Sequence, residues 1–566
     1  MFFLEKKWWM ESIGYQIYPK SFFDANQDGH GDLKGIDEKL PYLKALGIDL
    51  IWICPFYDSP MDDNGYDVSN FLDVHKNFGT LEDFKQLLKN AKALGIRIVL
   101  DLVLNHTSDE HPWFIESRKS IDNPYRDYYI WQTGKGNNPP TNWGSFFGGS
   151  AWRYDETSNS YYMKIFSDKM PDLNWKNKQV RRQMASIAKY WLEMGVDGFR
   201  IDAVAHLSKA PFTNAKPTDQ KIVLDWFKFS NLPAVHDYLK EMNQDVFSKY
   251  DALTVGEVGG EANIESAYQY AGFESKELNM VFNFDHNWCN NVFDITDLKA
   301  LKTDVKRLKS VFNKWQIAFK DKGWLPLNWL NHDQPRLMSH YGDLNYFNAS
   351  GKMLATALYL MRGTPFVYQG EEIGMINYPF KFIEEFNDIS SINRYHDLKK
   401  LNTYTEEEIL FQLRLNSRDN PRTAMQWSDK PYAGFSKTKP VVLVNDQYKQ
   451  INVEQAMNDK SSLWHHYRKI FELRKNSMYR ETLIYGAYEQ LAIEHESLYI
   501  YKRVDDAFEI YVINSFSNKE QHYEVSNLAH TKLLLNNYPD LKQEDEMLYL
   551  HPYQSVVMVL NKKEYL

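Results

Sequence analysis

Cysteine is nearly absent: Cys54 and Cys289 are the only two in 566 residues, and no Cys-x-x-Cys spacing occurs. That excludes a disulfide scaffold and suits a reducing compartment, so a cytoplasmic location is expected. Long apolar runs are also missing. No window approaches the roughly 18–20 apolar residues of a membrane span, and a Lys pair interrupts the short apolar start MFFLEKKWWMESIGYQIYP, which lacks the length of a signal peptide. No membrane partner is expected. A basic excess is absent too, with 66 Lys and Arg against 75 Asp and Glu and a net charge of −9. This argues against nucleic acid or an anionic membrane as partner and suits a neutral substrate. There is no Gly-x-Ser-x-Gly elbow to build a serine hydrolase triad. No internal repeat, low-complexity tract or signal of oligomeric state is visible.

The chain exceeds what one core normally supports, so two or three structural units are expected. Apolar strand candidates recur with helical patterns between them: SIGYQIYP, IDLIWICP, IRIVLDLVLNH, VDGFRIDAV, ALTVGEV, MVFNFD, WLPLNWLNHD and TPFVYQG. Eight strands alternating with amphipathic segments imply parallel βα units, an α/β fold of the (β/α)8 TIM barrel type. One helix is explicit. Thr80 can N-cap it, Asp83 completes a capping box, Phe84, Leu87, Leu88 and Ala91 form its apolar stripe, and Gly95 ends it.

Two interruptions break the rhythm. Residues 105–177, rich in Trp, Tyr, Asn, Gly and Pro, are too long for a βα loop and predict an inserted subdomain after the third strand, over the active face. A second long stretch runs from the eighth strand to about residue 440. The barrel is thus expected in two parts, 1–104 and 178–483. Beyond it, residues 484–566 read as a C-terminal antiparallel β-sandwich domain, from short alternating runs such as SLYIYKR, FEIYVINSF and SVVMVLN.

Three strand candidates end in or beside a carboxylate: Asp202 in GFRIDAV, Glu257 in TVGEV and Asp333 in WLNHDQP. In a (β/α)8 barrel the carboxyl ends of all strands converge on one face. Three converging acids suit cleavage of a glycosidic bond through an oxocarbenium-like transition state. Arg200 and Asp202, two apart on a strand, share a face, and the cation favours the ionised carboxylate that a nucleophile requires. Glu257 sits between apolar residues, a setting of the kind general acids occupy. His332–Asp333 reads as a metal ligand pair, a triad fragment or a clamp on sugar hydroxyls. Taken singly, Arg-x-Asp is equally a buried ion pair and Glu257 a strand-end acid bonded to a helix terminus.

Taken together, DLVLNHTSDEH, GFRIDAV, VGEV and NHDQPR fall in that order on strands three, four, five and seven. This resembles the four ordered regions of the α-amylase superfamily of glycoside hydrolases, family 13. The spacing and the fourth region look most like its exo-α-glucosidases: maltases, oligo-1,6-glucosidases, dextran glucosidases and trehalose-6-phosphate hydrolases. The resemblance covers nearly the whole chain and implies a retaining exo-α-glucosidase acting on small oligosaccharides. It implies that Asp202 is the nucleophile, Glu257 the acid/base and Asp333 the stabiliser of the transition state. His106, Arg200 and His332 would bind hydroxyls of the terminal glucose. Asp67 in DNGYDV would recognise the non-reducing end beside Tyr66 as a stacking platform. Arg418 or Arg422 in SRDNPRTAMQW would pair with Asp67 and close the pocket, and Phe147 and Phe166 would line its apolar wall. The family usually has Pro where this chain has Ala424, which implies a softer loop. Ala203, after the nucleophile, matches the small residue of α-1,4-active members, where α-1,6-specific ones tend to have Val.

The same resemblance admits a transglycosylase, a sucrose isomerase or a trehalose-6-phosphate hydrolase. The last needs a cationic pocket that the sequence does not display. Non-catalytic transporter heavy chains keep this barrel but need a membrane anchor and usually lose the acids, all three of which are present here. Finally, DANQDGHGDLKG places Asp24, Asn26, Asp28 and Asp32 at alternating positions, with His30 offering its carbonyl. The first half resembles an EF-hand start, but Gly35 stands where the bidentate Glu belongs. The expectation is a structural Ca²⁺ or Mg²⁺ with no part in the chemistry; the alternative is a polar turn ordered by Asx hydrogen bonds.

Overall fold

The computed structural model describes residues 5–136, 138–259, 263–290, 303–526 and 528–565. The first four residues of the N-terminal stretch read above lie outside them. Eight parallel strands form one sheet: β1 (Gly14–Ile17), β2 (Leu50–Ile53), β3 (Arg97–Val103), β4 (Gly198–Asp202), β5 (Leu253–Glu257), β6 (Met280–Phe282), β7 (Pro326–Leu327) and β8 (Thr364–Tyr368). Their spatial order is β6-β5-β4-β3-β2-β1-β8-β7, and the two end strands approach each other to nearly close the barrel. Both faces of β1, β2, β4 and β8 are buried, which is why these segments read as almost unbroken apolar runs. All eight strands fall within the segments the sequence marks.

The register explains where the acids sit. Ile201 pairs with Gly256 across β4 and β5, so Asp202 and Glu257 are the next residue on each strand and end both at the same rim. The helix Leu81–Ala93 forms as its sequence dictates, with the Thr80–Asp83 capping box and Phe84, Leu87 and Ala91 buried. Leu88 is only half-buried. Gly95 adopts a left-handed φ of +66° that releases the chain into β3.

The region after β3 holds a three-stranded antiparallel sheet, with Ser160–Met163 between Trp131–Gln132 and Trp152–Asp155. Its core of Trp143, Trp152, Met163 and Ile165 recruits Ala215 and Phe229, which follow β4. Asn142 ties the two segments, its Nδ2 donating to Ala215 O at 3.1 Å and its Oδ1 accepting from Ala215 N at 2.7 Å. This contribution from beyond residue 177 is absent from the sequence reading. After β8 the long stretch contains helices Ile389–Lys400 and Glu406–Asn416 around a core of Phe380, Phe386, Tyr395, Ile409 and Leu413. The second is announced by a Thr405–Glu408 capping box.

C-terminal residues form a five-stranded and a three-stranded antiparallel sheet that share a core of Leu498, Ile500, Ile513, Leu548 and Leu550. Arg503, fully buried, anchors this part by donating to the carbonyls of Leu360, Leu483 and Gly486. A buried cation is tolerated there because it meets orphan carbonyls just past a helix C-terminus.

Behind β8, the buried Glu371 accepts hydrogen bonds from the hydroxyls of Tyr359 and Tyr467, while Glu372 accepts from those of Tyr15 and Tyr42. Burial pushes the Glu371 carboxyl up to about 8. Because its folded value lies above its unfolded one, this group favours folding below its ordinary value and loses that contribution as pH rises through 8. Glu371→Gln is neutral at every pH, so its melting temperature should fall less steeply than that of the wild type as pH is raised across this range. Parallel melting curves would refute the assignment.

Candidate active site

Arg200 is the hub. It projects inward from β4, is 2 % exposed, and its strand partner on β3 is Asp101. Its Nη1 donates to Asp101 Oδ1 and, at 2.7 Å, to Asp202 Oδ1, while Nη2 reaches Glu257 Oε2 at 2.7 Å. Trp52 Nε1 donates to the other Asp101 oxygen at 2.7 Å, and the Tyr66 hydroxyl lies 3.3 Å from it. Asp101 is missed by the sequence reading. The signal was there: a lone acid in an apolar strand, one strand from an inward arginine.

Burial pushes Asp101 up to about 6 despite Arg200. Burial also raises Asp202, with Glu257 and Asp101 adding to the rise and Arg200 opposing it. Asp101 and Asp202 thus retain a proton more readily than isolated acids do, although they share one guanidinium.

Asp333 belongs to a second charged group. Arg422 Nη2 contacts its Oδ1 directly and Arg418 Nη1 lies 3.6 Å from the same oxygen. Arg422 Nε also donates to His332 O at 3.1 Å. Burial works to raise the Asp333 carboxyl, yet His332 and the guanidiniums of Arg418, Arg422 and Arg200 hold it well below the usual carboxylate range.

The pairing with Asp67 is corrected by the structure. Among the described residues no ion pair joins Arg418 or Arg422 to Asp67; Arg418 instead bridges Asp63, at 3.0 Å, and Asp388, at 2.6 Å. Asp67 is fully buried and turned into its own loop, accepting from Asp62 N at 2.7 Å, Asp63 N at 3.1 Å and Ser59 Oγ at 3.0 Å. Both acids lie in DNGYDV. Gly65, at a φ of +105°, lets the segment fold back so that the first acid faces Arg418 and the second caps the loop. Asp388 also caps the helix Ile389–Lys400, so Arg418 fastens that helix to the rim of the pocket.

His332 stacks with two tyrosine rings, 5.2 Å from Tyr66 and 6.0 Å from Tyr18, nearly parallel to both. His106 packs against Phe166 at 5.2 Å, Phe166 against Phe147 at 5.5 Å, and the Arg418 guanidinium covers Phe147 at 4.6 Å. The structure thus joins His106, Phe166, Phe147 and Arg418 into one wall. Beyond it opens a cleft of about 960 Å³, lined also by Arg153, Lys164, Lys169, Lys399 and Lys400. Burial pushes His106 and His332 down to about 3, which keeps both rings neutral.

Ala203 leaves the strand with φ 48° and ψ 30°, and its N–H lies 3.4 Å from Glu257 Oε2. Its backbone therefore faces the acid, a contact the sequence does not show. Ala424 N donates to Leu443 O at 2.9 Å, a bond proline cannot make, so the loop gains a tie where the family's stiffening is missing.

The Asp24–Asp32 loop closes on itself. Asp24 accepts from Gln27 N and Gly29 N, Asn26 from Asp28 N, and Asp28 from His30 N. Asp32 caps the helix Leu33–Leu46 through Gly35 N and also accepts from Ala25 N and Asn26 N. The Asx-ordered turn describes this arrangement, and among the described residues no group of three or more His, Cys, Asp or Glu is placed to hold a metal. The loop nevertheless retains two buried acids, Asp24 and Asp32, with no basic side chain in ion-pair range among the described residues.

If Asp63 and not Asp67 serves the pocket, Asp63→Ala should lower kcat/KM on an α-glucoside by about tenfold or more, the cost of losing one charged hydrogen bond that orients Arg418. Asp67→Ala should act mainly on the melting temperature. The reverse pattern in kinetics and thermal melts would restore the original pairing.

Comparison with known proteins agrees with this geometry. Residues 16–486 match the α-amylase catalytic domain. The chain is 45 % identical over 567 residues to the oligo-1,6-glucosidase of Bacillus cereus, covering 98 % of this chain and all of that one. It is 40 % identical to the trehalose-6-phosphate hydrolase of Bacillus subtilis (strain 168), with 98 % of each chain covered. The isomaltulose synthase SmuA of Protaminobacter rubrum superposes with a TM-score of 0.93 at 39 % identity, covering 99 % of this chain and all of that one. No helix among the described residues is long and apolar enough to cross a membrane. With the barrel, its acids and full-length relatives in agreement, the chain belongs to the α-amylase family of glycoside hydrolases, in its exo-acting α-glucosidase and oligo-1,6-glucosidase group.

Proposed function

We propose that this enzyme is a retaining exo-α-glucosidase that releases terminal α-1,4-linked glucose from maltose and short malto-oligosaccharides. The observation that carries the reading is the single guanidinium of Arg200, which reaches Asp202 and Glu257 at 2.7 Å each. Retaining enzymes hold nucleophile and acid about 5–5.5 Å apart, and one guanidinium spanning both carboxylates supports a short separation. In the first step Asp202 attacks the anomeric carbon while Glu257 protonates the bridging oxygen and the leaving sugar departs. In the second, Glu257 takes a proton from water, whose oxygen displaces Asp202 and frees glucose. Asp333 supports the developing positive charge, while His332, His106 and Arg418 hold hydroxyls. The buried free thiols Cys54 and Cys289 support a reducing compartment, the cytoplasm.

The linkage rests on Ala203, a small residue directly after Asp202 whose backbone N–H lies 3.4 Å from Glu257 Oε2, so that a branched side chain at this position would crowd the leaving sugar. The oligo-1,6-glucosidase relatives favour α-1,6 cleavage as a second reading. The trehalose-6-phosphate hydrolase relatives favour a phosphorylated substrate as a third.

Glucose release from maltose, isomaltose, sucrose, trehalose and trehalose-6-phosphate separates these readings. Maltose should lead, and Ala203→Val should move the maltose-to-isomaltose ratio of kcat/KM towards isomaltose by about tenfold or more. Taking the ratio within one variant cancels the strain of valine at positive φ. Asp202→Asn should lose about three orders of magnitude or more. A wild type that prefers isomaltose, or a ratio unmoved by valine, overturns the linkage; near-normal hydrolysis by Asp202→Asn overturns the mechanism.

The Asp24–Asp32 loop is proposed to take Ca²⁺ or Mg²⁺ in a purely structural role. The support is electrostatic: burial raises the Asp32 carboxyl and Asp24 adds to the rise, a repulsion that a cation would relieve. EDTA should then lower the melting temperature while turnover of the folded enzyme stays unchanged. An unchanged melting temperature after verified metal removal counts against the site.

A further inference from the structure

The barrel holds one polar side chain behind His332 that no step above uses. Gln16 lies on β1, is 1 % exposed, and places Nε2 2.8 Å from His332 Nδ1 and 3.2 Å from Cys54 Sγ. At the opposite edge of the ring, His332 Nε2 lies 3.5 Å from Asp333 Oδ2. Tyr18 and Tyr66 stack on the ring, and Trp52 meets it edge-on at 6.2 Å. The stacking fixes the plane of the imidazole but not which nitrogen carries the proton.

The two edges decide that. A carboxylate accepts and never donates, so the nitrogen facing Asp333 must bear the hydrogen. The other nitrogen then presents a lone pair, which one N–H of the Gln16 amide fills while the second points at Cys54 Sγ. The opposite arrangement would set a lone pair against the Asp333 carboxylate. We propose that Gln16 is a positioning residue that holds His332 as its Nε2–H tautomer, so that the ring donates on the substrate side of the pocket. The inference rests on the reading of His332 as a hydroxyl-binding residue.

The charged groups facing the ring are Asp333, Arg200, Arg418 and Arg422; Cys54 faces the glutamine. Three guanidiniums and burial oppose a second proton on the imidazole, so in the wild type the tautomer alone sets its donor pattern. A glutamate at position 16 reverses the local rule. Its carboxylate accepts only, which draws the proton to Nδ1 and leaves Nε2 bare, or else favours a doubly protonated ring.

The test has two arms on the full-length enzyme. The first is ¹⁵N NMR of histidine-labelled protein, with the His332 signals assigned by their loss in His332→Gln. Expected is a neutral ring with an unprotonated Nδ1 in the wild type; a protonated Nδ1 there overturns the proposal whatever the kinetics show. The second is the pH dependence of kcat/KM for wild type, Gln16→Glu and Gln16→Met on the best substrate. Gln16→Glu should fall about tenfold or more at neutral pH and recover relative to wild type as the pH is lowered, because a second proton restores the Nε2 donor. Gln16→Met, which removes the bond without reversing it, should lose less and keep the wild-type profile. Equal losses in both variants with unshifted profiles would reduce Gln16 to a packing residue and overturn the assignment. A wild type inactive on all glucosides would instead sink the functional reading, leaving the NMR arm to judge the tautomer.

Discussion

One buried guanidinium organises the catalytic face. Arg200 must be inside the barrel because its strand partner Asp101 is inside, and neither charge is tolerable there alone. Once the pair exists, the remaining hydrogen-bonding directions of Arg200 fix the carboxylates that end β4 and β5. Removing one member leaves uncompensated charge among buried groups. The fork geometry of guanidinium also explains why lysine is a poor substitute: a point charge cannot hold three acids at set angles.

Around this core a second charge network is carried by loops. Arg418 reaches Asp63 after β2, Asp333 after β7 and Asp388 at the start of the helix Ile389–Lys400. Segments more than three hundred residues apart are thus joined at a single side chain. The pairing favours the ionised form of Asp333 and ties the rim of the pocket together. Rigid strands therefore hold Asp202 and Glu257, while loop-borne cations complete the pocket. This is the usual division of labour in a (β/α)8 barrel, where loops vary and strand ends stay.

The helix Leu81–Ala93 was legible in every detail that mattered because a capping box, a 3.6-residue stripe and a terminal glycine are all local. The two helices after β8 were not read, although Thr405 and Glu408 carry the same kind of signal. The segment around Ala215 and Phe229 was invisible for a different reason. It packs on the inserted sheet through contacts more than fifty residues distant in sequence, which no periodicity records. Asp32 shows a third case. Its alternation with Asp24, Asn26 and Asp28 reads as ligand spacing, but the residue also stands where a helix begins and caps it, a second role that the alternation alone does not display.

The sequence by itself determined the eight strands, their parallel βα rhythm and the two acids that end β4 and β5, because burial patterns and strand-end position are properties of short segments; Asp333 stands in the loop beyond β7. The sequence also bounded the chemistry through motif order. Only the tertiary structure decided which acid of DNGYDV meets an arginine, that Asp101 completes the Arg200 cluster, and that Gln16 stands behind His332. Those choices depend on the direction in which side chains from different strands and loops converge. Direction across the barrel is a property of closure and register, and neither exists until the chain has folded.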